Sequence, residues 1–323
     1  MKNRTTKLIR AIPALLVALA LVSLAACGNV GSSGGSGPSA EEEGGGGGGP
    51  TIAVGSKNFT EQYVLGELYA QALEANGFNV EKKLDLGSAA IADKALQNGQ
   101  IDMYPEYTGT ALVEIFKQEK QPDTPDATYK TAKKLYAKRE PADTMLTPAP
   151  FNNTYGIFAR KEVAEEYDLK TLADLARASS ELTFVCFSEF LKRSDGVPNI
   201  EKNYKGLDFG DVKIVNSIGG PIYQGVLQGE GDAGVGFTTD SQLASKELVV
   251  MEDPKNIWPF YYPAPVVRSD VLEQYPKMEE VLNSVSETLD AETMRQLNAQ
   301  VDIEQEDPDE VAAAFLQEKG IVE

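Results

Sequence analysis

Two tyrosines and two threonines lie close together in residues 101–110, a stretch that begins as an apolar strand. They are Tyr104, Tyr107, Thr108 and Thr110, whereas turns are usually built from Gly, Pro, Asn, Asp and Ser. Aromatic ring faces attract cations and hydroxyl groups donate hydrogen bonds, so this combination suits a small cation that carries methyl groups. The residue types predict binding of such a solute and offer no evident catalytic group.

These side chains are expected at the carboxyl end of a strand. Pro105 follows the apolar residues and has no N–H to donate, so we expect it to end the hydrogen-bonded ladder. In open α/β sheets, ligands bind outside the carboxyl ends of the strands. The stretch is therefore expected at the edge of a binding cleft.

A quaternary ammonium group has no N–H, so a site must hold it with electron-rich ring faces, each contributing about 0.5–2 kcal/mol. A carboxylate or hydroxyl on the same solute needs hydrogen-bond donors. The sequence offers both sets. The aromatic candidates are Tyr104, Tyr107, Tyr155, Tyr223, Tyr261 and Tyr262, and the donor candidates are Gln62, Ser88, Thr108, Thr110, Asn153 and Thr238.

Some of these aromatic residues have an alternative structural interpretation. Tyr104 can point into the core while Tyr107 faces the cleft. Tyr261 and Tyr262 are adjacent, so only one is expected to face the ligand if the segment is extended. Tyr223 lies at a predicted helix start, and its position is equally compatible with lining the ligand site and with packing in the core.

The charge of the chain excludes several classes of protein. Its 323 residues include 30 Lys and Arg, 49 Asp and Glu, and no histidine. The net charge of −19 argues against binding to nucleic acid or anionic lipid. Without histidine there is no Ser/His triad and no His-ligated zinc. We predict no enzymatic activity, catalytic residue, cofactor or metal. A surface-anchored enzyme and a passive surface protein are the rival classes.

Cys186, among strand-forming residues, is expected to be a buried small hydrophobe.

The first 27 residues predict a secreted, lipid-anchored protein. A basic start is followed by an apolar run too short to span a bilayer comfortably, and small residues precede Cys27. This order resembles a bacterial lipoprotein signal, which implies lipidation of Cys27 on the extracytoplasmic face of the cell membrane. Residues 28–50 are rich in Gly, Ser and Glu and predict a flexible linker.

From Thr51 onward, strand and helix patterns alternate, which predicts an α/β fold. A short internal similarity joins residues 96–103 to residues 227–234, each combining a helix end, a glycine, an acid and a short strand. The first leads into residues 107–110 and the second into residues 237–240, with Phe237 and Thr238 in place of Tyr107 and Thr108. Two half-domains built alike would clasp a ligand from both sides.

Four separated motifs carry a resemblance to a known family. They are residues 56–62 (SKNFTEQ), 104–110 (YPEYTGT), 151–155 (FNNTY) and 261–267 (YYPAPVV). In this order they resemble the substrate-binding lipoproteins of ABC importers for osmoprotectants, the family that binds glycine betaine, carnitine and choline. The resemblance covers the chain from about residue 51 to its end.

The resemblance implies a two-lobed periplasmic-binding-protein fold of type II with a ligand cleft between the lobes. We expect the first lobe in residues 51–152 and 262–323, and the second in residues 153–261. It also implies a monomer that delivers its solute to a membrane permease with ATPase subunits. The site residues that the motifs imply are Gln62, Tyr107, Thr108, Tyr155 and Tyr261 or Tyr262.

Three departures from the family pattern leave the ligand open. Phe237 stands where many relatives have a tyrosine, Ser88 belongs to an altered Gly/Ser-Thr motif, and Pro263 replaces an alanine. The preferred solute remains open among glycine betaine, choline, carnitine, proline betaine and ectoine. An amino acid or another small solute is the alternative.

Overall fold

The computed structural model describes residues 51–216 and 218–322, which form two five-stranded mixed sheets with surrounding helices. The strands are β1 Thr51–Gly55, β2 Asn79–Lys83, β3 Met103–Tyr107, β4 Asp143–Met145, β5 Tyr155–Arg160, β6 Thr183–Phe187, β7 Asp211–Val215, β8 Ala233–Phe237, β9 Leu248–Val250 and β10 Pro263–Arg268.

The helices follow the strands in the alternation that the sequence predicts. They are α1 Thr60–Ala75, α2 Ala89–Gln97, α3 Thr108–Thr110 continuing as a π-helix over Ala111–Ile115, α4 Pro125–Tyr136, α5 Lys161–Glu166, α6 Leu172–Ala178, α7 Val197–Asn203, α8 Gly220–Leu227, α9 Ser269–Gln274, α10 Lys277–Glu287, α11 Ala291–Asp302 and α12 Pro308–Glu318.

The two sheets have the same topology. The strand order is β2-β1-β3-β10-β4 in the first sheet and β7-β6-β8-β5-β9 in the second. In each sheet, three strands are parallel, and a fourth runs antiparallel between the third and the edge strand. We call the first sheet with α1–α4 and α9–α12 the first lobe, and the second sheet with α5–α8 the second lobe. The predicted two-lobed α/β fold is confirmed.

The chain passes between the sheets twice. It leaves the first sheet after β4 and enters β5 through residues 146–154, the first crossing segment. It leaves β9 and enters β10 through residues 251–262, the second crossing segment. β10 follows the second lobe in sequence but lies inside the first sheet, next to β3. The first lobe therefore consists of chain segments from both before and after the second lobe.

The internal sequence similarity corresponds to a repeated structural unit. In the first lobe, Asp102 Oδ2 accepts a hydrogen bond of 2.8 Å from the backbone N–H of Ala53 in β1. In the second lobe, Asp232 Oδ2 accepts one of 2.9 Å from the backbone N–H of Thr183 in β6. The acid of each copy therefore tethers the start of β3 or β8 to the neighbouring strand, β1 or β6.

An arginine completes each copy of this unit. Arg268 Nη1 lies 3.5 Å from Asp102 Oδ1, and Arg160 Nη2 lies 2.9 Å from Asp232 Oδ1. Each arginine is the last residue of the antiparallel strand, β10 or β5. The aspartate thus joins three strands of its lobe, which explains why the acid occurs in both copies.

Pro105 does not end its strand, so that prediction was wrong. It lies in the middle of β3, directly opposite Pro265 of β10. The backbone N–H of Thr108 donates to Tyr262 O on one side of β10, whereas that of Leu146 donates to Pro265 O on the other. Hydrogen-bonded and non-hydrogen-bonded pairs alternate in antiparallel strands. The two prolines occupy a non-hydrogen-bonded pair, so the missing N–H groups remove no bond between these strands.

The C-terminal helices pack on the first lobe, as expected. Leu68 of α1, Leu282 of α10, Leu297 of α11 and Leu316 of α12 belong to one buried apolar cluster with residues of β1.

Cys186 is fully buried in β6, which confirms its expected role as a small hydrophobe. Within the described part of the chain, no helix is long and apolar enough to cross a membrane. The predicted signal segment, Cys27 and the linker at 28–50 lie outside the described residues.

Asp240 holds the end of β8 in the second lobe. Its Oδ2 accepts a hydrogen bond of 2.9 Å from the backbone N–H of Phe237 and one of 2.8 Å from the hydroxyl of Tyr223. The ring of Tyr223 stacks on Phe158 at 4.5 Å between centroids, and its hydroxyl covers Gly236 so closely that no Cβ would fit there. The direction of the β8 end therefore depends on this buried carboxyl group.

We predict that Asp102→Ala lowers the free energy of unfolding by about 1–3 kcal/mol, because the N–H of Ala53 loses its buried acceptor. The matched control is Glu81→Ala, which removes a 57% exposed carboxylate that pairs with Lys83 in the same sheet. Its effect should stay within about 0.5 kcal/mol. Urea unfolding of the purified proteins measures both values. An equal loss in the two variants would contradict the tethering role of Asp102.

The Asp240 carboxyl predicts a pH dependence of stability. Loss of hydration raises its pKa from 3.8 to about 7, against the opposing effect of the bonds from Phe237 and Tyr223. Because this pKa is higher in the folded than in the unfolded chain, the contribution to stability is complete below pH 3.8 and is lost as the pH rises from there through about 7. Asp240→Asn should therefore reduce the fall in unfolding free energy between about pH 5 and about pH 8. Urea unfolding at both pH values tests this, and an unchanged pH dependence would contradict it.

Candidate functional site

A cavity of about 380 Å³ lies where the two lobes face each other. Its wall includes side chains from β3, from both crossing segments, and from the loops after β1, β6 and β7. Six aromatic rings line it, namely Phe59, Tyr107, Tyr155, Phe187, Phe237 and Tyr261. The carboxyl ends of the strands in both lobes therefore meet at one aromatic cleft.

A row of roughly parallel rings crosses from one lobe to the other. Phe59, at the start of α1, stacks on Tyr107 at 6.2 Å and on Phe237 at 5.9 Å between ring centroids. Phe237 in turn stacks on Tyr155 at 5.4 Å. Since Phe59 belongs to the first lobe and Phe237 to the second, the row continues across the cleft.

Tyr155 is surrounded by other aromatic rings. Its centroid lies 4.9 Å from that of Phe190, 5.7 Å from that of Tyr261 and 5.9 Å from that of Trp258. Burial raises the pKa of Tyr155 well above the ordinary value of 10, so the phenol stays neutral. A cation that enters the cleft meets neutral ring faces here.

The cleft already contains a cation of the protein itself. Lys57 Nζ lies 4.4 Å from the centroid of the Tyr107 ring and 5.8 Å from that of Phe59. It forms a buried ion pair with Glu106. Burial lowers the pKa of the Lys57 ammonium, and the carboxylate of Glu106 acts in the opposite direction. The Tyr107 ring therefore interacts with an internal ammonium group.

Glu61 is a buried carboxylate that connects both lobes behind the cavity. Its Oε1 accepts hydrogen bonds from the Tyr107 hydroxyl at 2.7 Å and from Asn153 Nδ2 at 2.9 Å. Its Oε2 accepts from the Thr239 hydroxyl at 2.5 Å and from Asn298 Nδ2 at 3.2 Å. Burial raises the pKa of Glu61, while these four donors act in the opposite direction. The group fixes Tyr107 and Asn153 at the cavity wall.

Arg193 places a second cation in the wall, on the second lobe. Its Nε and Nη2 donate to the two carboxylate oxygens of Asp195 at 2.8 and 2.7 Å. Asp195 Oδ2 also accepts a 2.6 Å hydrogen bond from the Tyr261 hydroxyl, and its backbone oxygen accepts from Trp258 Nε1 at 3.0 Å. One buried carboxylate therefore orients both Arg193 and Tyr261 toward the cavity.

The structure brings about half of the sequence-predicted site residues together. Those at the cavity wall are Ser88, Tyr107, Thr110, Asn153, Tyr155, Phe237 and Tyr261. Those that lie away from it are Gln62, Tyr104, Thr108, Tyr223, Thr238 and Tyr262.

Tyr104 and Tyr223 belong to the cores of their lobes. Tyr104 is fully buried, with its hydroxyl 3.2 Å from Glu106 Oε2 and 3.4 Å from that of Tyr136. Tyr223 packs against the β8 strand and donates to Asp240, as described above. In both cases the hydroxyl has a partner inside the protein, which satisfies the polar group of a buried tyrosine.

The remaining four residues support the wall from behind or point away from it. Thr108 Oγ1 donates to Phe260 O at 2.7 Å, and Thr238 Oγ1 donates to Asn152 O at 3.1 Å, so both hydroxyls hold crossing segments. Gln62 is fully buried, and its Oε1 accepts from the backbone N–H of Lys57. Tyr262 does not line the cavity, whereas the adjacent Tyr261 does, as side-chain alternation in an extended segment predicts.

The sequence reasoning missed Lys57, Phe59, Phe187 and Arg193, which also line the cavity. Lys57 and Phe59 lie inside the quoted motif at residues 56–62, so their position beside Gln62 was a usable signal. Arg193 lies in an irregular segment before α7, with no periodic pattern to distinguish it. Other wall residues that were missed are Asn58, Ala89, Ala90, Glu114, Ser188, Glu189, Val215, Asn216 and Ile218.

The arrangement is suited to holding a cation rather than to metal chemistry. Among residues 51–216 and 218–322 there is no group of three His, Cys, Asp or Glu side chains that could hold a metal ion. Ring faces can surround methyl groups, and Arg193, Asn153, Ser88 and Thr110 provide donors at the wall for a polar substituent.

Comparisons with known proteins agree with this geometry. The family described as the substrate-binding domain of the ABC-type glycine betaine transport system matches residues 50–318. The glycine betaine-binding protein YehZ of Escherichia coli is 38% identical over 283 residues, which cover 83% of this chain and 90% of that protein. A glycine-betaine-binding protein of Pseudomonas aeruginosa is 35% identical over 282 residues, which cover 84% of this chain and 89% of that protein.

A solved structure described as a glycine betaine/carnitine/choline ABC transporter has the same fold. It superposes with a TM-score of 0.67 at 26% sequence identity, over 84% of this chain and 98% of that one. The resemblance carried by the four motifs is confirmed, and the chain belongs to the family of substrate-binding domains of ABC-type glycine betaine transport systems.

Proposed function

We propose that this protein captures a small quaternary ammonium solute in the cavity between its lobes and delivers it to the permease of an ABC importer. The observation that carries the proposal is the convergence of six aromatic rings from both lobes on one cavity. A methylated ammonium group offers no N–H for hydrogen bonding, so its recognition depends on such ring faces. The related proteins of Escherichia coli and Pseudomonas aeruginosa are named as binding proteins for glycine betaine, a solute of this class.

The rings differ in how available they are to a ligand. Tyr107 interacts with the Lys57 ammonium and donates its hydroxyl to Glu61, so part of its surface is already used inside the protein. Among the described contacts, no Lys or Arg lies over the ring face of Phe237, Phe187 or Tyr155, and Arg193 acts electrostatically on the Tyr155 hydroxyl. We propose that these rings of the second lobe, with Tyr261, hold the ammonium group.

The polar end of the solute has donors within the same cavity. Arg193, Asn153, Ser88 and Thr110 lie at the wall and can bind a carboxylate or hydroxyl. A solute held by rings and hydrogen-bond donors from both lobes would stabilise the closed arrangement of the lobes. The permease could then recognise the shape of the closed, ligand-bound protein.

The remaining parts of the proposal concern the setting of the binding domain. We propose that Cys27 carries the lipid that anchors the protein on the extracytoplasmic face of the membrane, with residues 28–50 as linker. We further propose that it acts as a monomer without catalytic activity, with lobes divided near 152/153 and 261/262. The order of signal, linker and binding domain supports this arrangement.

Ligand-dependent unfolding tests the class of solute. At a free concentration of about 100 times the dissociation constant, a solute that binds only the folded state adds about 2.7 kcal/mol to its stability. We expect glycine betaine, choline or carnitine to raise the melting temperature of the purified protein, and dimethylglycine, which retains an N–H when protonated, to raise it less. An equal response to dimethylglycine, or no response to any of these solutes, would argue against recognition by ring faces.

A variant pair tests the contribution of a single ring. Phe237→Ala should raise the dissociation constant of the preferred solute about three- to thirtyfold, because one cation–π contact is removed. The matched control is Phe209→Ala, a partly buried phenylalanine of the second lobe that stacks on Phe184 away from the cavity. Isothermal titration calorimetry measures both affinities. If both variants weaken binding equally, the lower affinity results from lost packing in the second lobe and not from a lost cation–π contact.

A further inference from the structure

Glu114 is an acidic residue at the cavity wall that the aromatic recognition does not use. It lies on the π-helix Ala111–Ile115, directly after Thr110, and both side chains line the cavity. A π-helical turn is rare and is found often at functional sites. The turn brings a carboxylate of the first lobe to the place where the polar end of a solute would lie.

Across the cleft, this carboxylate faces the guanidinium of Arg193. Glu114 Oε1 lies 4.0 Å from Arg193 Nε, and the two side chains are only 19% and 12% exposed. Glu114 Oε2 lies 3.7 Å from Lys117 Nζ, whose side chain is 70% exposed and therefore strongly hydrated. The pair of Glu114 and Arg193 thus joins the first lobe to the second at the cavity.

Arg193 is already neutralised within its own lobe. Both oxygens of the Asp195 carboxylate accept hydrogen bonds from its guanidinium, so the bidentate position is filled. A ligand carboxylate at Arg193 must therefore use the N–H groups that Asp195 leaves free, those of Nη1 and the second N–H of Nη2. Because Glu114 Oε1 lies 4.0 Å from Nε of the same guanidinium, such a carboxylate would also lie near the negative charge of Glu114.

The charged groups in the wall and directly behind it carry more negative than positive charge. Among the described residues that line the cavity, Lys57 and Arg193 are positive, and each has its own carboxylate partner, Glu106 or Asp195. Glu114 and Glu189 add two more carboxylates at the wall. The wall is thus suited to a solute with net positive charge and repels a solute carboxylate.

We propose that Glu114 is a specificity-determining residue that disfavours quaternary ammonium solutes with a carboxylate and favours those with a neutral polar group. This inference rests on the proposed function, since it concerns the polar end of the same ligand. A zwitterion must compete with Glu114 for Arg193, whereas a cation with a hydroxyl group leaves that ion pair intact. Like charges brought together at an interface are a strong source of discrimination.

The test is Glu114→Gln, which keeps the size of the side chain and removes its charge. We expect the affinity for glycine betaine to rise about tenfold and that for choline to stay constant or fall, both measured by isothermal titration calorimetry at low salt. Thermal unfolding without ligand checks that the variant is folded.

The control is Glu189→Gln, because Glu189 is also at the wall but is exposed, and its bond from the Ser188 hydroxyl is local. If Glu189→Gln changes the ratio as much as Glu114→Gln, the pairing with Arg193 is not the cause and the inference fails. An unchanged ratio in Glu114→Gln, with both solutes bound by the unsubstituted protein, also overturns it while the proposed function stands. Binding of neither solute by the unsubstituted protein would refute the proposed function and this inference together.

Discussion

The buried carboxylate of Glu61 is the interaction on which the geometry of the cleft depends. An ionised carboxylate removed from water loses several kcal/mol of hydration unless hydrogen bonds replace it. Here the four donors come from four segments, namely Tyr107 at the end of β3, Asn153 in the first crossing segment, Thr239 after β8 and Asn298 in α11. The two oxygens of Glu61 receive all four hydrogen bonds only when these segments meet. The same requirement places Tyr107 and Asn153 at the cavity wall, so a group behind the site determines its shape.

This constraint explains why the C-terminal helices matter for a cleft that they do not line. Asn298 of α11 donates to Glu61 and also to the backbone oxygen of Thr239 at 3.1 Å. The helix therefore holds the segment that follows β8 against the start of α1. Because β10 and the C-terminal helices come last in the chain, the first lobe and its link to the second lobe are completed together.

Much of the fold follows from local sequence patterns, whereas the site depends on register and on irregular segments. The repeated acid at Asp102 and Asp232 was recognisable because each lobe needs an acceptor for the same strand N–H. The sequence did not show that the strand continues through Pro105. This depends on the pairing of Pro105 with Pro265, which is distant in sequence. Which tyrosine of the 261–262 pair faces the cavity is set by the same register. Arg193 lies outside regular structure, where hydrophobic periodicity carries no information.

The two lobes share a framework but contribute different chemistry to the cleft. Tyr107 and Phe237 lie at equivalent strand ends, yet they are supported differently. The Tyr107 ring contacts the Lys57 ammonium and its hydroxyl binds Glu61, whereas the backbone of Phe237 is held by Asp240 and its ring stays open to the cavity. Both lobes thus contribute charges and rings, with the Lys57–Glu106 pair beside Tyr107 in the first lobe and the Arg193–Asp195 pair beside open ring faces in the second. A solute with a methylated cation at one end and a polar group at the other fits this cleft, because rings and donors come from both lobes and neither lobe alone encloses it.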